Sequence, residues 1–269
     1  MKNIFELFNN LVRRNMPSDD IWYKCNICGG KNRKTLSELG RETNSCSGCG
    51  STVRMRSIIY LLSMELFSSG KTISSFPIRK DIKGIGMSDW IGYASRLEKK
   101  FNYVNTYYHK EPRLDISDIH GWNEDTYDFI ISSDVFEHVA PPVSKSFKNA
   151  YSLLKPGGIF IFSVPFTIEN STTVEHFPDL HDYEIDYKSN KPLLRNTTKE
   201  GKKQIFSDLV FHGGEGDTLE MRVFSKSSLL KNLEEVGFVD IRIRDENDLN
   251  FGIYWKSEYS IPITARKSD

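Results

Sequence analysis

The chain has four cysteines, all between Tyr23 and Gly50, as CNICGG (Cys25, Cys28) and CSGCGS (Cys46, Cys49). The pattern is C-x2-C, seventeen residues, C-x2-C. Two residues between cysteines let a tight turn aim both thiolates at one ion while backbone amides bond to the sulfurs. Two such knuckles complete a tetrahedral S4 site of the kind that holds structural Zn2+. Two disulfides are the alternative, but an intracellular chain would keep them reduced. A closed four-cysteine site leaves no coordination position for a substrate, so this zinc ribbon is expected to be a structural or docking element.

A second stretch, KDIKGIGMSDW from Lys80 to Trp90, sets Gly84 and Gly86 one residue apart, after β-branched residues and before a segment able to start a helix. A nucleotide-binding turn has this form, although the usual third glycine is missing. Glycines also mark turns that bind nothing, so the surrounding elements must decide.

With 269 residues, 38% of them hydrophobic, the chain can bury an ordinary core and carry a small appendage. Lysine plus arginine equals aspartate plus glutamate at 36 each, so the strong positive field of a protein held by nucleic-acid phosphates is missing and no nucleic-acid partner is expected. No apolar run approaches the roughly 20 residues that cross a bilayer. The amino terminus spaces Ile4, Phe5, Phe8, Leu11 and Val12 along one helical face and has no signal-peptide h-region or cleavage site. A cytoplasmic protein with nothing removed is expected.

Beyond the cysteines, MRSIIYLLSMELFSS has helical periodicity, and apolar strands then alternate with amphipathic helices. Strands are expected at 82–85, 103–107, 127–132, 159–164, 239–244 and 259–266, with helices at 143–154 and 225–238. This alternation argues for an α/β, mostly parallel, doubly wound sheet whose ligands bind at the carboxyl ends of its strands.

The segment YDFIISSDVFEHVAPPVSKSFKNAYSLLKPGGIFIFSVPF, Tyr127 to Phe166, resembles the fourth strand, helix and fifth strand of class I S-adenosylmethionine-dependent methyltransferases, with Asp128, Glu137, His138 and LLKPGG at the matching places. The resemblance implies a Rossmann-like, seven-stranded sheet. It divides the chain into a helix over 1–20, a zinc ribbon over 21–52, a linking helix and loop over 53–77, and a methyltransferase domain over 78–269 with an insertion over 167–222.

In that register Gly86 falls on the family's first glycine and Gly84 on its acidic position. The resemblance further implies that Ser88 and Asp89 continue the cofactor turn, Asp89 bonding the ammonium group. Thr106 or Tyr107 replaces the carboxylate that usually grips the ribose. Asp115 faces the adenine amino group with Ile116 beside the ring, and Ser133 and His138 line the pocket after the fourth strand. The stretches NTYYHKEPRLDIS, EHFPDLHDY and FHGGEGDTLEMRVFS are also similar to bacterial methyltransferases that accompany glycosyltransferases in surface-polysaccharide synthesis. That implies a sugar, or its phosphorylated form, as small-molecule acceptor.

Methyl transfer to a hydroxyl needs alignment and removal of the acceptor's proton, and histidine suits the second task. The insertion supplies His176, His181 and His212. His181, flanked by Asp182, is the first candidate and His176 the next; each is equally readable as a surface or capping histidine. The same stretch, with Asp179 and Asp182, could ligate a divalent cation, although the step from His176 to His181 is not a standard ligand spacing. Two other functions fit the ribbon: an RNA methyltransferase, or a binding module that has lost catalysis.

Overall fold

The computed structural model describes residues 20–187, 191–212, 218–256 and 259–269. The helix expected over 1–20 falls, but for Asp20, outside the described residues. The first hairpin pairs β1 (Asp20–Lys24) antiparallel with β2 (Lys31–Thr35). The first cysteine knuckle forms its turn, closed by the Gly29 N–H donating to the Cys25 carbonyl at 2.8 Å, and the second closes in the same way from Gly50 to Cys46 at 2.8 Å. Both glycines have positive φ, which a side chain would strain.

Helix α1 (Val53–Phe67) starts where the Thr52 hydroxyl accepts the Met55 N–H. It buries Ile58, Ile59, Leu61 and Leu62. Arg56 on the same helix is fully buried and donates to the carbonyls of Ser51 and Gly252, each at 2.7 Å, and to Ser45 Oγ at 2.9 Å. One guanidinium thus fastens the ribbon to the helix and to the loop near the carboxyl terminus.

The main sheet is built from β3 (Arg79–Met87), β4 (Phe101–Thr106), β5 (Tyr127–Ser133), β6 (Leu154–Ser163), β15 (Phe238–Ile243) and β16 (Ile263–Lys267), in the order β15-β16-β6-β5-β3-β4. Strands β3 to β6 run parallel, β16 pairs antiparallel with β6, and β15, antiparallel to β16, runs in the direction of β6 again. Period-two alternation sends Phe129, Ile131, Ile159 and Ile161 to the face covered by α1 and α2 (Ile91–Lys100). Ile130, Phe160 and Phe162 face α3 (Ser144–Leu153) and α4 (Lys226–Val236). Both faces are covered, as a doubly wound sheet requires.

Among the described residues the main sheet has six strands where seven were expected. Between β4 and β5 the chain adds two isolated bridges, Tyr107 to Arg113, parallel, and Asp115 to Asp118, antiparallel. Pro112 has no N–H to offer a ladder. Asp115 then turns the backbone by accepting the N–H and hydroxyl of Ser117 at 2.9 and 2.7 Å.

Between β6 and α4 the chain forms small sheet units. Strand β14 (Arg222–Ser225) pairs parallel with β7 (Phe166–Thr167) and antiparallel with β8 (Val174–Glu175). Strands β9 (Asp182–Asp186), β10 (Leu193–Thr197) and β11 (Lys203–Phe206) make a meander, and β12 (Phe211–His212) pairs with β13 (Thr218–Leu219). Phe177, Leu194, Leu219 and Met221 form a separate small core. Arg222, fully buried, pins this unit to the loop after β5: Nη1 donates to the carbonyls of Phe136 at 2.9 Å and Val139 at 2.6 Å, and Nε to Glu175 at 2.7 Å. No helix among the described residues is long and apolar enough to cross a membrane.

Candidate active site

A cavity of about 1180 Å³ opens at the carboxyl ends of β3, β4, β5 and β6. Drug-sized ligands occupy pockets of roughly 300–1,000 Å³, so there is room for a nucleoside cofactor and a small acceptor together. Its floor is Met87 and Ser88 after β3 and Thr106 and Tyr107 after β4. One side carries Leu114, Asp115 and Ile116, an apolar wall with one carboxylate.

Another side is strongly polar: Arg41 and Glu42 from the ribbon, Arg54 from α1 and Asp134 after β5. Arg41 donates to both oxygens of Asp134, at 3.1 and 2.7 Å. Arg54 donates to both oxygens of Glu42, at 2.7 and 2.8 Å, and to Ser133 Oγ at 2.6 Å. Burial raises the Asp134 carboxyl pKa, but the two guanidinium groups outweigh it and hold the group below the usual carboxylate range. Cations beside anions on one wall suit the carboxylate and ammonium of an amino-acid moiety.

The roof comes from the insertion, through Tyr183, Ile185, His212, Leu219 and Met221. Beneath it stand Glu137 and His138. His138 Nδ1 donates to the Leu219 carbonyl at 3.0 Å, which leaves the lone pair on Nε2. Burial lowers its pKa, so the ring is neutral near pH 7. The His138 and His212 rings meet edge to face, 4.8 Å between centroids. His212 Nε2 lies 2.8 Å from Glu220 Oε2, and the other Glu220 oxygen takes His176 Nε2 at 2.9 Å.

The remaining candidates are spread around this cavity. Gly84 and Gly86 lie inside β3, not in a turn. A Cβ on Gly84 would strike the Phe129 ring, and one on Gly86 would strike Tyr103 Oη and Asp89 Oδ2, so both positions make room for the protein's own side chains. Asp89 is buried behind the cavity floor, receiving the hydroxyls of Tyr93, at 2.7 Å, and Tyr103. Burial pushes its carboxyl up to about 7 despite those two bonds. Ser88, at positive φ, lines the cavity, as do Thr106, Tyr107, Asp115, Ile116 and His138. Ser133 lies at the end of β5, its hydroxyl shared between Arg54 and Ser163.

Of the three histidines of the insertion, His212 lines the cavity. His176 sits behind it on Glu220, and His181 is exposed, its backbone N–H donating to Asn196 Oδ1 at 2.9 Å. Sequence reasoning assigned no role to Glu137, Glu220, Arg41 or Arg54. Glu137 carried a signal, its place in DVFEH beside His138. The arginines had none, because only folding brings the ribbon to the rim.

The four cysteines are unbridged and their sulfurs converge within 4.8 Å. Cys25 and Cys49 sulfurs are 3.8 Å apart, and those of Cys28 and Cys46 3.6 Å. Four thiolates about 2.3 Å from one Zn2+ would be about 3.8 Å apart, so this donor set fits a tetrahedral ion. Burial raises the Cys25 and Cys28 thiols, while at Cys46 the amides of Cys49 and Gly48 and the neighbouring sulfurs outweigh burial and bring it to about 6.

A cavity at the carboxyl rim of a doubly wound sheet is where ligands of this architecture bind. Residues 74–243 match the family described as Methyltransferase domain, and the chain belongs to it. Comparison with curated proteins gives no match. Among solved structures it is similar to Burkholderia thailandensis 1,6-didemethyltoxoflavin-N1-methyltransferase with bound S-adenosylhomocysteine: 16% identity, TM-score 0.43, covering 80% of this chain and 78% of that one. A Mesorhizobium loti S-adenosylmethionine-dependent methyltransferase gives 16% identity and a TM-score of 0.42 over 72% of this chain and 94% of that one. A Listeria monocytogenes enzyme described in the same terms as putative gives 14% and 0.43 over 73% and 95%.

Proposed function

We propose that this methyltransferase is an O-methyltransferase of a sugar or a related polar small molecule, acting in the cytoplasm in bacterial surface-polysaccharide synthesis. One observation carries the reading: the insertion roofs the cofactor rim and so joins Glu137, His138 and His212 to the cavity that Met87, Ser88 and Ile116 floor and wall. An acceptor end that carries Glu137, His138 and His212 suits a small hydroxylated molecule.

S-adenosylmethionine, when bound, supplies an electrophilic methyl group. Asp115 and Ile116 hold the adenine, Tyr107 and Thr106 the ribose side, and Arg41, Arg54, Glu42 and Asp134 the amino-acid end. Gly84, Gly86 and Asp89 support this floor from within the sheet. The acceptor hydroxyl loses its proton at the Glu137, His138 and His212 end, where Glu220 orients His212. His176 contributes through Glu220, and His181 stays outside the reaction. The ribbon over 21–52 holds structural Zn2+ and lends Arg41 and Glu42 to the domain over 78–269.

Incubating the protein with methyl-labelled S-adenosylmethionine and a panel of saccharides, nucleotide sugars and ribosomal RNA tests this. Label in a saccharide supports the reading. Label confined to RNA, or to none of the pools while S-adenosylhomocysteine still binds, contradicts it.

A further inference from the structure

The mechanism above leaves one group unexplained. Glu137 is fully buried at the cavity wall, and neither carboxylate oxygen has a hydrogen-bond partner among the described residues. An orphaned buried carboxylate costs more than a buried polar group with a partner, so it is retained where something else meets it. One ligand atom from each of Glu137, His138 and His212 lies within 4.8 Å of the other two, and His138 Nε2 is 3.7 Å from Glu137 Oε1.

The two imidazoles are prepared for ligation by their outer partners. The Leu219 carbonyl can only accept, so His138 Nδ1 carries the proton and Nε2 keeps its lone pair. The Glu220 carboxylate accepts from His212 Nε2, so in the neutral ring Nδ1 keeps its lone pair. Metal-bound histidines have this outer support, in which a carbonyl or carboxylate fixes the tautomer.

We infer that Glu137, His138 and His212 form a site for a divalent transition-metal cation at the acceptor end of the cavity. Two imidazoles and one carboxylate suit Mn2+, Fe2+, Co2+ or Zn2+ better than Mg2+ or Ca2+, and they leave positions open. This deepens the proposed function and rests on it. The acceptor hydroxyl would take an open position, and the cation would lower its pKa so that the proton leaves to water while the electron pair stays on oxygen. An acceptor with adjacent hydroxyls could fill two positions, which makes a vicinal diol the preferred class. Of the set expected from sequence, His176, His181 and His212 with Asp179 and Asp182, the site keeps His212; His176 bonds Glu220 and His181 is exposed.

Full-length protein with the cysteine site loaded with Zn2+ is titrated with Mn2+, and free Mn2+ is read by electron paramagnetic resonance. Mn2+ competes poorly for thiolates, so the ribbon does not contribute. One Mn2+ per chain is expected, with affinity reduced at least about tenfold in Glu137→Gln and in His138→Ala. An unchanged far-ultraviolet spectrum and urea midpoint verify the fold of each variant. Should a variant fail to fold, pulsed resonance of the wild-type complex must show coupling to imidazole nitrogen. No Mn2+ held at millimolar concentration, equal affinity in folded variants, or a bound ion without nitrogen coupling would each overturn the inference. Methyl transfer to a saccharide that survives removal of all Mn2+ refutes the cation's catalytic role and leaves the O-methyltransferase reading standing. That reading fails separately, in the label-transfer experiment.

Discussion

Arg41, carried by the ribbon, donates to both carboxylate oxygens of Asp134 at the end of β5, at 3.1 and 2.7 Å. The two residues are 93 positions apart, and their pairing makes the cysteine-bearing hairpin part of the cavity wall. Charge-assisted, two-point bonds of this kind fix geometry as well as adding attraction.

Arg41→Ala is therefore expected to weaken S-adenosylhomocysteine binding by about tenfold, or about 1.4 kcal/mol, with the far-ultraviolet spectrum unchanged. Calorimetric titration measures it. Replacing Cys46 by serine should produce a loss in the same direction, because it loosens the segment between the two cysteine knuckles that carries Arg41. Unaltered affinity in both would show that the ribbon merely abuts the site.

Loss of His212 should lower kcat by on the order of 10²-fold or more. His181→Ala should leave kcat within about twofold, since that side chain is exposed and away from the cavity wall. Steady-state kinetics on one acceptor compares the two. The reverse order of effects would restore the sequence-based preference.

Gly86→Ala separates two accounts of the glycine pair. A Cβ there meets Tyr103 Oη and Asp89 Oδ2. Overpacking predicts a stability loss of about 1–3 kcal/mol in urea unfolding. A glycine that serves only to admit the cofactor would instead lose affinity at constant stability.

Asp89 should leave a signature in the pH dependence of stability. Its carboxyl rises from 3.8 to about 7 through burial. The native state therefore holds a proton that the unfolded chain releases between about pH 4 and 7. The contribution is complete below the unfolded value and is lost as pH rises through the folded one. Urea midpoints of wild type against Asp89→Asn across that range should diverge with pH, the variant losing less stability on the alkaline side. Parallel curves would contradict the assignment.

The strand and helix order was legible because the residues of β5 and β6 alternate between two covered faces, and LKPGG marks the strand entry. The cysteine cluster was legible from spacing alone. The seventh strand, implied by the resemblance, does not form among the described residues, where Pro112 and the Asp115 turn follow Tyr107. Among the histidines, adjacency favoured His181 because Asp182 follows it, but His181 precedes β9 and both side chains are exposed. His212 reaches the cavity because β12 pairs with β13 and lies over the turn that carries His138. Such a nonlocal arrangement leaves no trace in residue order. Arg41 illustrates the same limit, since nothing in the ribbon's sequence says which rim it will meet.

A crystal structure with S-adenosylhomocysteine bound tests the central claim most directly. The nucleoside should lie with its adenine against Asp115 and Ile116, its amino-acid end between Arg41 and Asp134, and its sulfur facing Glu137, His138 and His212. A sulfur turned away from those three side chains, or a cavity closed by the protein's own residues, would contradict the account.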